Sequence, residues 1–170
     1  MCNMKAIAAM DENRGIGIKG KIPWHIPQDF KWFKEFTMGK NLLVGWKTFR
    51  TLPVLNGRTI WVVDSGAGDI QSQPVTNDNQ SIGYLWQVQP EHLHLTKDNL
   101  INGIYKDYIV VGGAKTYALF MPYITEFYVT HVKGKYNADV FMNPFEDLFP
   151  YRETVKEFDG HWVMKYSKSV

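Results

Sequence analysis

The sequence lacks several features that mark specialised classes of protein. It has 1 cysteine, Cys2, in 170 residues, which excludes a disulfide framework within the chain. Its 19 basic and 17 acidic residues leave a net charge of +2, and the basic residues form no run that would indicate nucleic-acid binding. The first apolar stretch, residues 6–10, is too short for a signal peptide or a membrane span. We therefore expect a cytoplasmic monomer that acts on small molecules, with no nucleic-acid or membrane partner.

Common chemical signatures are also missing. Neither the Gly-x-Gly-x-x-Gly turn of dinucleotide-binding folds nor the phosphate-binding loop of nucleoside triphosphatases is present. His92 and His94 have no further ligands at a suitable spacing, so no metal site is predicted. Cys2 has no base that the sequence places beside it, which leaves cysteine nucleophile chemistry without support. A dinucleotide, if one binds, binds in another way.

Apolar runs and glycine-containing turns alternate along the chain as strands and helices do. This order predicts an α/β fold with a mostly parallel, twisted central sheet of about eight strands, flanking helices and a C-terminal antiparallel hairpin. We expect a single domain over residues 1–170, with loops at residues 11–27 and 66–83 and a short helix at 97–102. Predicted strands cover residues 5–9, 41–44, 58–63, 108–111, 126–132, 154–158 and 161–166, and predicted helices cover residues 28–37, 46–52 and 114–121.

Asp29 lies on the apolar side of its predicted helix. At roughly 100° per residue, Phe33 and Phe36 fall close to Asp29, whereas the lysines of the segment fall on the opposite side. An acidic residue in a first turn also favours the helix dipole, which is the simpler explanation. The dipole does not require the side chain to point inward, however, and a buried carboxylate has a raised pKa or binds a ligand. Asp29 is therefore the leading candidate for a site residue.

The segment before this helix combines glycine with large apolar residues. Residues 16–24, which we call the lid segment, read Ile-Gly-Ile-Lys-Gly-Lys-Ile-Pro-Trp. As a plain surface connection it would expose three isoleucines and Trp24. A loop of this composition can instead close over a ligand and exclude water.

Two strand-to-helix junctions share a pattern. Residues 44–48 and residues 111–116 each combine a glycine turn with a lysine and a threonine at a predicted helix start. Free backbone N–H groups at a helix start favour phosphate, although any tight turn uses glycine and each junction is weak evidence alone. Together they predict a site for a diphosphate-bridged dinucleotide.

Motifs that are specific in combination extend along the chain. Pro-Trp-x-x-Pro-x-Asp occupies residues 23–29, and Gly-Gly-Ala-x-x-Tyr occupies residues 112–117. With these motifs the chain resembles the dihydrofolate reductase family over nearly its whole length, apart from residues 66–107. The other matching residues, in the family's order, are Ile7-Ala8-Ala9, Ile16-Gly17, Trp32-Phe33, Thr37, Gly45-x-Lys47-Thr48-Phe49, Asn56-Gly57-Arg58 and Tyr128-x-Thr130-His131.

The resemblance implies a function and a set of site residues. It implies NADPH-dependent reduction of 7,8-dihydrofolate to 5,6,7,8-tetrahydrofolate for one-carbon metabolism, in an enzyme that antifolate inhibitors target. The implied catalytic residues are Asp29 on the 2-amino group and N3 of the pterin, Thr130 joining through a water, and Trp24 over the nicotinamide. The implied substrate-binding residues are Ile7, Asp29, Phe33, Leu55, Arg58 on the α-carboxylate of the glutamate tail, Val111 and Thr130. The implied cofactor-binding residues are Ala9, Ile16, Gly17, Gly45, Trp46, Lys47, Thr48, Ser65, Gly112, Gly113, Ala114, Lys115 and Tyr117.

The chain departs from the family's pattern at the adenosine end of the cofactor. Trp46 replaces the arginine that many members have near the 2′-phosphate, and Asp64 adds an acidic residue beside Ser65. We therefore expect a preference for NADPH over NADH that is weaker than usual. Two alternatives stay open: a pyrimidine reductase of riboflavin synthesis with the same fold, and a non-catalytic protein that binds folate or a nucleotide. Arg58 argues against the first, because it needs a carboxylate to bind.

Overall fold

The computed structural model describes residues 4–53, 55–64, 81–86 and 108–169, and for residue 64 and residues 81–86 it describes the backbone alone. The helix predicted at residues 97–102, the two histidines of the His-x-His pair and Ser65 lie outside these ranges. No helix in the described ranges is long and apolar enough to span a membrane.

The described chain contains ten strands, of which eight form one sheet. These strands are β1 (Met4–Met10), β2 (Gly15–Gly17), β3 (Asn41–Gly45), β4 (Thr59–Asp64), β5 (Ser81–Trp86), β6 (Tyr108–Gly112), β7 (Ile124–His131), β8 (Val140–Phe141), β9 (Tyr151–Phe158) and β10 (His161–Ser167). The main sheet has the spatial order β5-β4-β3-β6-β1-β7-β10-β9, and β2 pairs with β8 in a small second sheet.

The main sheet is mostly parallel, as predicted. Only β10 runs antiparallel to its neighbours β7 and β9, and the other adjacent strands are parallel. The turn between β9 and β10 consists of Asp159 and Gly160, both with positive φ, which is the tight hairpin that this dipeptide predicts. The predicted fold class is therefore confirmed.

Within the described residues, three α-helices connect the strands: α1 (Pro27–Thr37), α2 (Trp46–Phe49) and α3 (Ala114–Phe120). Pro27 takes the first helical position, where its missing N–H has no intrahelical role. Helix α2 is shorter than the predicted residues 46–52. The backbone N–H groups of Thr51 and Leu52 bond to carbonyls three residues earlier, in the 3₁₀ pattern, which ends the α-helix. Pro53 also disfavours a helical conformation at the residue before it.

Two short strands were predicted as loop. Strand β2 lies within residues 11–27, and β5 begins inside the predicted loop of residues 66–83. Neither has a strong local signal, because β2 forms through pairing with the distant β8 and β5 through a full register with β4. Strand β8 was not predicted either, and the other described strands and α-helices differ from the predictions only at their ends.

The sheet is covered on both faces, and alternate residues of its strands pack on opposite sides. Leu42, Val44 and Ile109 pack with the apolar residues of α1 on one face. Leu43 and Val110 pack with α3 on the other. Because β1, β3, β6 and β7 are parallel, their carboxyl ends meet at one edge, where ligands bind in such folds.

Candidate active site

Asp29 lies in the first turn of α1 and points into the protein. Its side chain is 9% exposed, and its backbone N–H donates to the carbonyl of Ile26. The helical-wheel prediction of an inward carboxylate is therefore confirmed. The exposed surface of the helix includes Lys31 and Lys34, as the same wheel predicts.

The Asp29 carboxylate has a single side-chain partner among the described residues. Thr130 of β7 donates its hydroxyl to Oδ1 of Asp29 over 2.7 Å. The bond is direct, and the water through which Thr130 is expected to join the pterin contact stays a prediction. Burial raises the pKa of Asp29, and the hydrogen bond from Thr130 and the nearby His161 oppose that shift only in part. The carboxylate therefore keeps unused acceptor capacity inside the pocket.

Arg58 lies at the other end of α1. It is 8% exposed; its Nε donates to the carbonyl of Asn56 over 3.0 Å, and its Nη1 to Oγ1 of Thr37 over 3.3 Å. Thr37 in turn donates to the carbonyl of Phe33, which fixes the guanidinium against the helix. Within the described residues no carboxylate pairs with Arg58, and burial lowers its pKa.

These two charged groups lie at the two ends of α1, and we call the helix face between them the groove and its Asp29 end the pocket. Asp29 and Thr37 are separated by about 12 Å along α1, at 1.5 Å per residue. Phe33, which is half-buried, and Leu55, which is buried, belong to the apolar cluster between them. The groove therefore offers an acceptor at one end, a cation at the other and an apolar wall along its length.

The two glycine junctions lie side by side because β3 and β6 are neighbours in the sheet. A Cβ atom on Gly45 would lie 2.5 Å from Oγ1 of Thr116, and one on Gly113 would lie 2.7 Å from Oγ1 of Thr48. Side chains are therefore excluded at both glycines, and each junction packs against the helix of the other. We call this bare backbone surface the glycine cradle.

Around the glycine cradle, backbone N–H groups and exposed lysines contribute more to anion binding than the helix dipoles do. Helices α2 and α3 span 4 and 7 residues, so their dipoles are short and the free N–H groups are the main attraction for an anion. Lys47 and Lys115 are exposed, and Ala114 is half-buried. Trp46 stacks on Phe49 with ring centroids 6.2 Å apart, and the guanidinium of Arg50 lies 5.7 Å from its ring centre.

Three predicted residues line the sheet between the groove and the cradle. The hydroxyl of Tyr117 donates to the carbonyl of Ile7 over 2.6 Å, and burial raises the pKa of this tyrosine. The Ile7 carbonyl therefore already accepts one hydrogen bond and has one lone pair left for a ligand. Val111 is half-buried beside them, and the peptide bond between Gly112 and Gly113 is cis.

The lid segment covers the carboxyl end of β1. Ile16 and Gly17 lie in β2 and are half-buried, as is Ala9 at the end of β1. Trp24 is 6% exposed, and its Nε1 has no hydrogen-bond partner among the described residues. A buried N–H without a partner favours an acceptor from a ligand or water.

Two nearby side chains were not singled out from the sequence. Asp11 is buried at the start of the loop that leads to the lid segment, and Tyr136 packs on Trp24 with ring centroids 5.6 Å apart. Asp11 is polar within a predicted loop, and Tyr136 lies 112 positions from Trp24 in the chain, so neither carried a local signal. In the described ranges no three His, Cys, Asp or Glu side chains come together as metal ligands.

The fold is an α/β domain with candidate ligand-binding groups at the carboxyl edge of a mostly parallel sheet. A sequence model described as dihydrofolate reductase matches residues 3–161. This chain belongs to the dihydrofolate reductase family, which confirms the resemblance drawn from the sequence.

Individual relatives agree with the family match. The chain is 31% identical over 155 residues to a dihydrofolate reductase of Neisseria gonorrhoeae, covering 90% of this chain and 86% of that protein. It is 29% identical over 161 residues to that of Buchnera aphidicola, with 90% and 86% covered. It is also 33% identical over 136 residues to dihydrofolate reductase type 9 of Escherichia coli, with 78% and 72% covered.

A solved structure shows the same fold. The dihydrofolate reductase of Enterococcus faecalis, complexed with NADP(H) and RAB-propyl, aligns with a TM-score of 0.72 at 23% identity. The alignment covers 98% of this chain and 97% of that one.

Proposed function

We propose that this chain reduces 7,8-dihydrofolate to 5,6,7,8-tetrahydrofolate with NADPH and so supplies tetrahydrofolate for one-carbon metabolism. The observation that carries the proposal is the face of α1 with the Asp29 carboxylate, which has acceptor capacity left, at one end and the Arg58 guanidinium, which pairs with no carboxylate of the described residues, at the other. Folate has the complementary chemistry, because N–H donors lie at its pterin end and carboxylates at its glutamate end. Membership of the dihydrofolate reductase family supports the same substrate.

At the pterin end, Asp29 orients the ring. Its carboxylate accepts from the 2-amino group and N3, and Thr130 holds it in place. Charge-assisted hydrogen bonds of this kind are roughly twice as strong as neutral ones. The remaining lone pair of Ile7 and the carbonyl of Val111 are available to the same edge of the ring.

At the other end, Arg58 binds the α-carboxylate of the glutamate tail. A guanidinium presents two parallel N–H donors to a carboxylate, and its bonds to Asn56 and Thr37 limit the conformational entropy that binding costs. Phe33 and Leu55 contact the aminobenzoyl group between the two charges. A substrate without a carboxylate tail would have no group to pair with Arg58.

The glycine cradle suits a dinucleotide, because it brings two helix starts side by side and the backbone N–H groups of a first helical turn attract a diphosphate. NADPH, when bound, supplies the hydride from its nicotinamide ring. We infer that Trp46, Lys47 and Lys115 contact the adenosine and phosphate groups. The other residues that would hold it are Ala9, Ile16, Gly17, Gly45, Thr48, Gly112, Gly113, Ala114 and Tyr117, together with Ser65.

Hydride transfer to C6 requires close approach and exclusion of water, and the lid segment with Trp24 serves that purpose. N5 of the pterin must also gain a proton. Asp29 faces the opposite edge of the ring, so its part is orientation and electrostatic stabilisation, and a water delivers the proton.

The test is the loss of NADPH absorbance when purified protein meets dihydrofolate. We expect turnover with dihydrofolate and none with the pyrimidine substrate of riboflavin synthesis. Folate binding without turnover would overturn the proposal in favour of a binding protein, and turnover of the pyrimidine alone would favour the riboflavin reductase.

We further propose that the enzyme works in the cytoplasm as a monomer and binds neither nucleic acid nor membranes. The single cysteine and the net charge of +2 support this. Light scattering coupled to gel filtration should give the mass of one chain, 19.7 kDa. A dimer at assay concentration would contradict the monomer.

A further inference from the structure

Asp11 is a buried carboxylate that the reaction as proposed does not use. It follows β1 and is 3% exposed. Its Oδ1 accepts from the backbone N–H groups of Asn13 at 2.9 Å and Gly15 at 2.8 Å. Its Oδ2 accepts from the backbone N–H of Tyr136 at 3.0 Å. One side chain therefore joins the loop that leads to the lid segment to a distant part of the chain.

The distant part leads back to the pocket. Tyr136 packs edge-on against Trp24, and Trp24 packs with Ile26 and Val132 beside the start of α1. A second bond, from the N–H of Glu12 to the carbonyl of Gly134, reinforces the same junction. The order of contacts is thus Asp11, Tyr136, Trp24 and then Ile26, whose carbonyl accepts from the backbone N–H of Asp29.

We propose that Asp11 is a positioning residue that holds Trp24 over the pocket through Tyr136. The role rests on the proposed function, because Trp24 covers the reacting rings only if those ligands bind there. Within the described residues Asp11 bonds to backbone N–H groups alone, and it acts through Tyr136 rather than on the substrate. Removing one charge-assisted bond should shift the equilibrium between packed and unpacked Trp24 by roughly tenfold or more.

Arg14 provides a matched control because it anchors the same loop by another route. Its guanidinium donates to the carbonyls of Met142 and Asn143 and pairs with Glu146. None of these partners lies in the line of contacts from Asp11 to Trp24. Arg14→Gln therefore loosens the loop without acting on Tyr136.

The first experiment measures acrylamide quenching of Trp24 fluorescence, isolated by subtracting the same variant that also carries Trp24→Phe. Asp11→Asn should raise the quenching of Trp24 several-fold, and Arg14→Gln should leave it close to that of the parent protein. Equal increases in both variants, or no increase in either, would overturn the proposal. The measurement needs no turnover, so it tests the role of Asp11 even if dihydrofolate is not the substrate.

A second pair of variants keeps the test decisive if Asp11→Asn does not fold. Tyr136→Ala removes the ring that packs on Trp24, whereas Tyr136→Phe keeps both the ring and the backbone N–H. Only Tyr136→Ala should increase the quenching of Trp24. If Tyr136→Phe is equally affected, the hydroxyl bond to the Lys133 carbonyl carries the effect and the proposed route is wrong.

Kinetics then connect the position of Trp24 to the reaction. In Asp11→Asn and Tyr136→Ala, kcat for dihydrofolate reduction should fall about tenfold while KM changes little, because Asp29 and Arg58 are intact. A rise in KM at unchanged kcat would contradict a role in covering the reacting rings.

Discussion

The pocket and the loop that leads to the lid segment each hold a buried aspartate and an arginine, and they use them differently. In the loop, Asp11 accepts from three backbone N–H groups, and Arg14 pairs with Glu146 and two carbonyls. In the pocket, Asp29 accepts from one hydroxyl, and Arg58 donates to a carbonyl and a hydroxyl.

The difference separates structural charges from charges that serve a ligand. A buried ion that the protein fully satisfies contributes to the stability of the fold, whereas one left partly unsatisfied costs stability until a ligand arrives. The charged groups of the loop therefore stabilise the fold, whereas those of the pocket lower its stability in the absence of a ligand and bind the ligand when it is present. Substitutions in the two regions should have different, and in part opposite, effects.

The largest effect is expected for Asp29→Asn. The amide still accepts from Thr130 but has no charge for the pterin, so kcat/KM should fall about 10²- to 10⁴-fold. Because burial raises the pKa of Asp29, the ionised form costs stability, and the variant should unfold in urea at neutral pH with an unchanged or higher free energy. Steady-state kinetics and urea unfolding on the same sample check both. A loss of only a few fold would remove Asp29 from the catalytic account.

Asp11→Ala should show the reverse pattern. Three backbone donors lose their acceptor, and the free energy of unfolding should fall by about 2–4 kcal/mol. The drop in kcat/KM should stay well below that of Asp29→Asn. Glu12→Ala, at an exposed neighbouring position, is the matched control for unfolding. Equal stability of the two alanine variants would abolish the contrast between the regions.

Arg58→Leu extends the comparison to the cation of the pocket. A charged hydrogen bond contributes roughly 1.5–3 kcal/mol, so KM for dihydrofolate should rise on the order of tenfold or more. A pterin without the glutamate tail should be unaffected, as should the KM for NADPH. If KM rises equally for both pterins, Arg58 has a structural role like that of Arg14.

The smallest effect concerns the pH dependence of stability. Burial alone would raise the pKa of Glu146, but hydrogen bonds from Arg14 and from the backbone outweigh it and hold the pKa below its ordinary value. Its contribution is present above about pH 4.5 and is lost as the pH falls through the lowered pKa. Glu146→Gln should therefore cost about 1 kcal/mol at neutral pH and nothing in acid.

Asp29→Asn should behave oppositely in the same titration. The parent protein gains stability as Asp29 takes up its proton below the raised pKa, so the advantage of the variant at neutral pH should also vanish in acid. Urea unfolding between pH 3 and pH 7 gives both curves. If both variants change the free energy of unfolding at neutral pH in the same direction relative to the parent protein, the opposing roles are contradicted.

Much of this molecule could be predicted from local patterns. The period of α1 predicts an inward Asp29, and each glycine junction predicts a helix start. The Asp159-Gly160 turn likewise predicts the hairpin. Each of these depends on residues close together in the sequence, where periodicity and turn chemistry are informative.

What the sequence did not predict depends on distant pairing. Strand β2 exists because of β8, and the contact of Asp11 with Tyr136 joins residues 125 positions apart. The direct bond from Thr130 to Asp29 also depends on how α1 packs on β7. No local signal distinguishes the satisfied Asp11 from the unsatisfied Asp29, because only the folded chain shows which donors reach each carboxylate.

The most direct test of the account is the ionisation of Asp29 itself, followed by ¹³C NMR of the aspartate carboxyls and assigned by the signal lost in Asp29→Asn. In the free protein, Asp29 should titrate above its ordinary value of 3.8. Saturating folate should move the titration to lower pH, because the N–H donors of the ligand stabilise the ionised form. A free-protein pKa at or below 3.8 that folate does not change would show that the protein already satisfies this carboxylate, and would contradict the account.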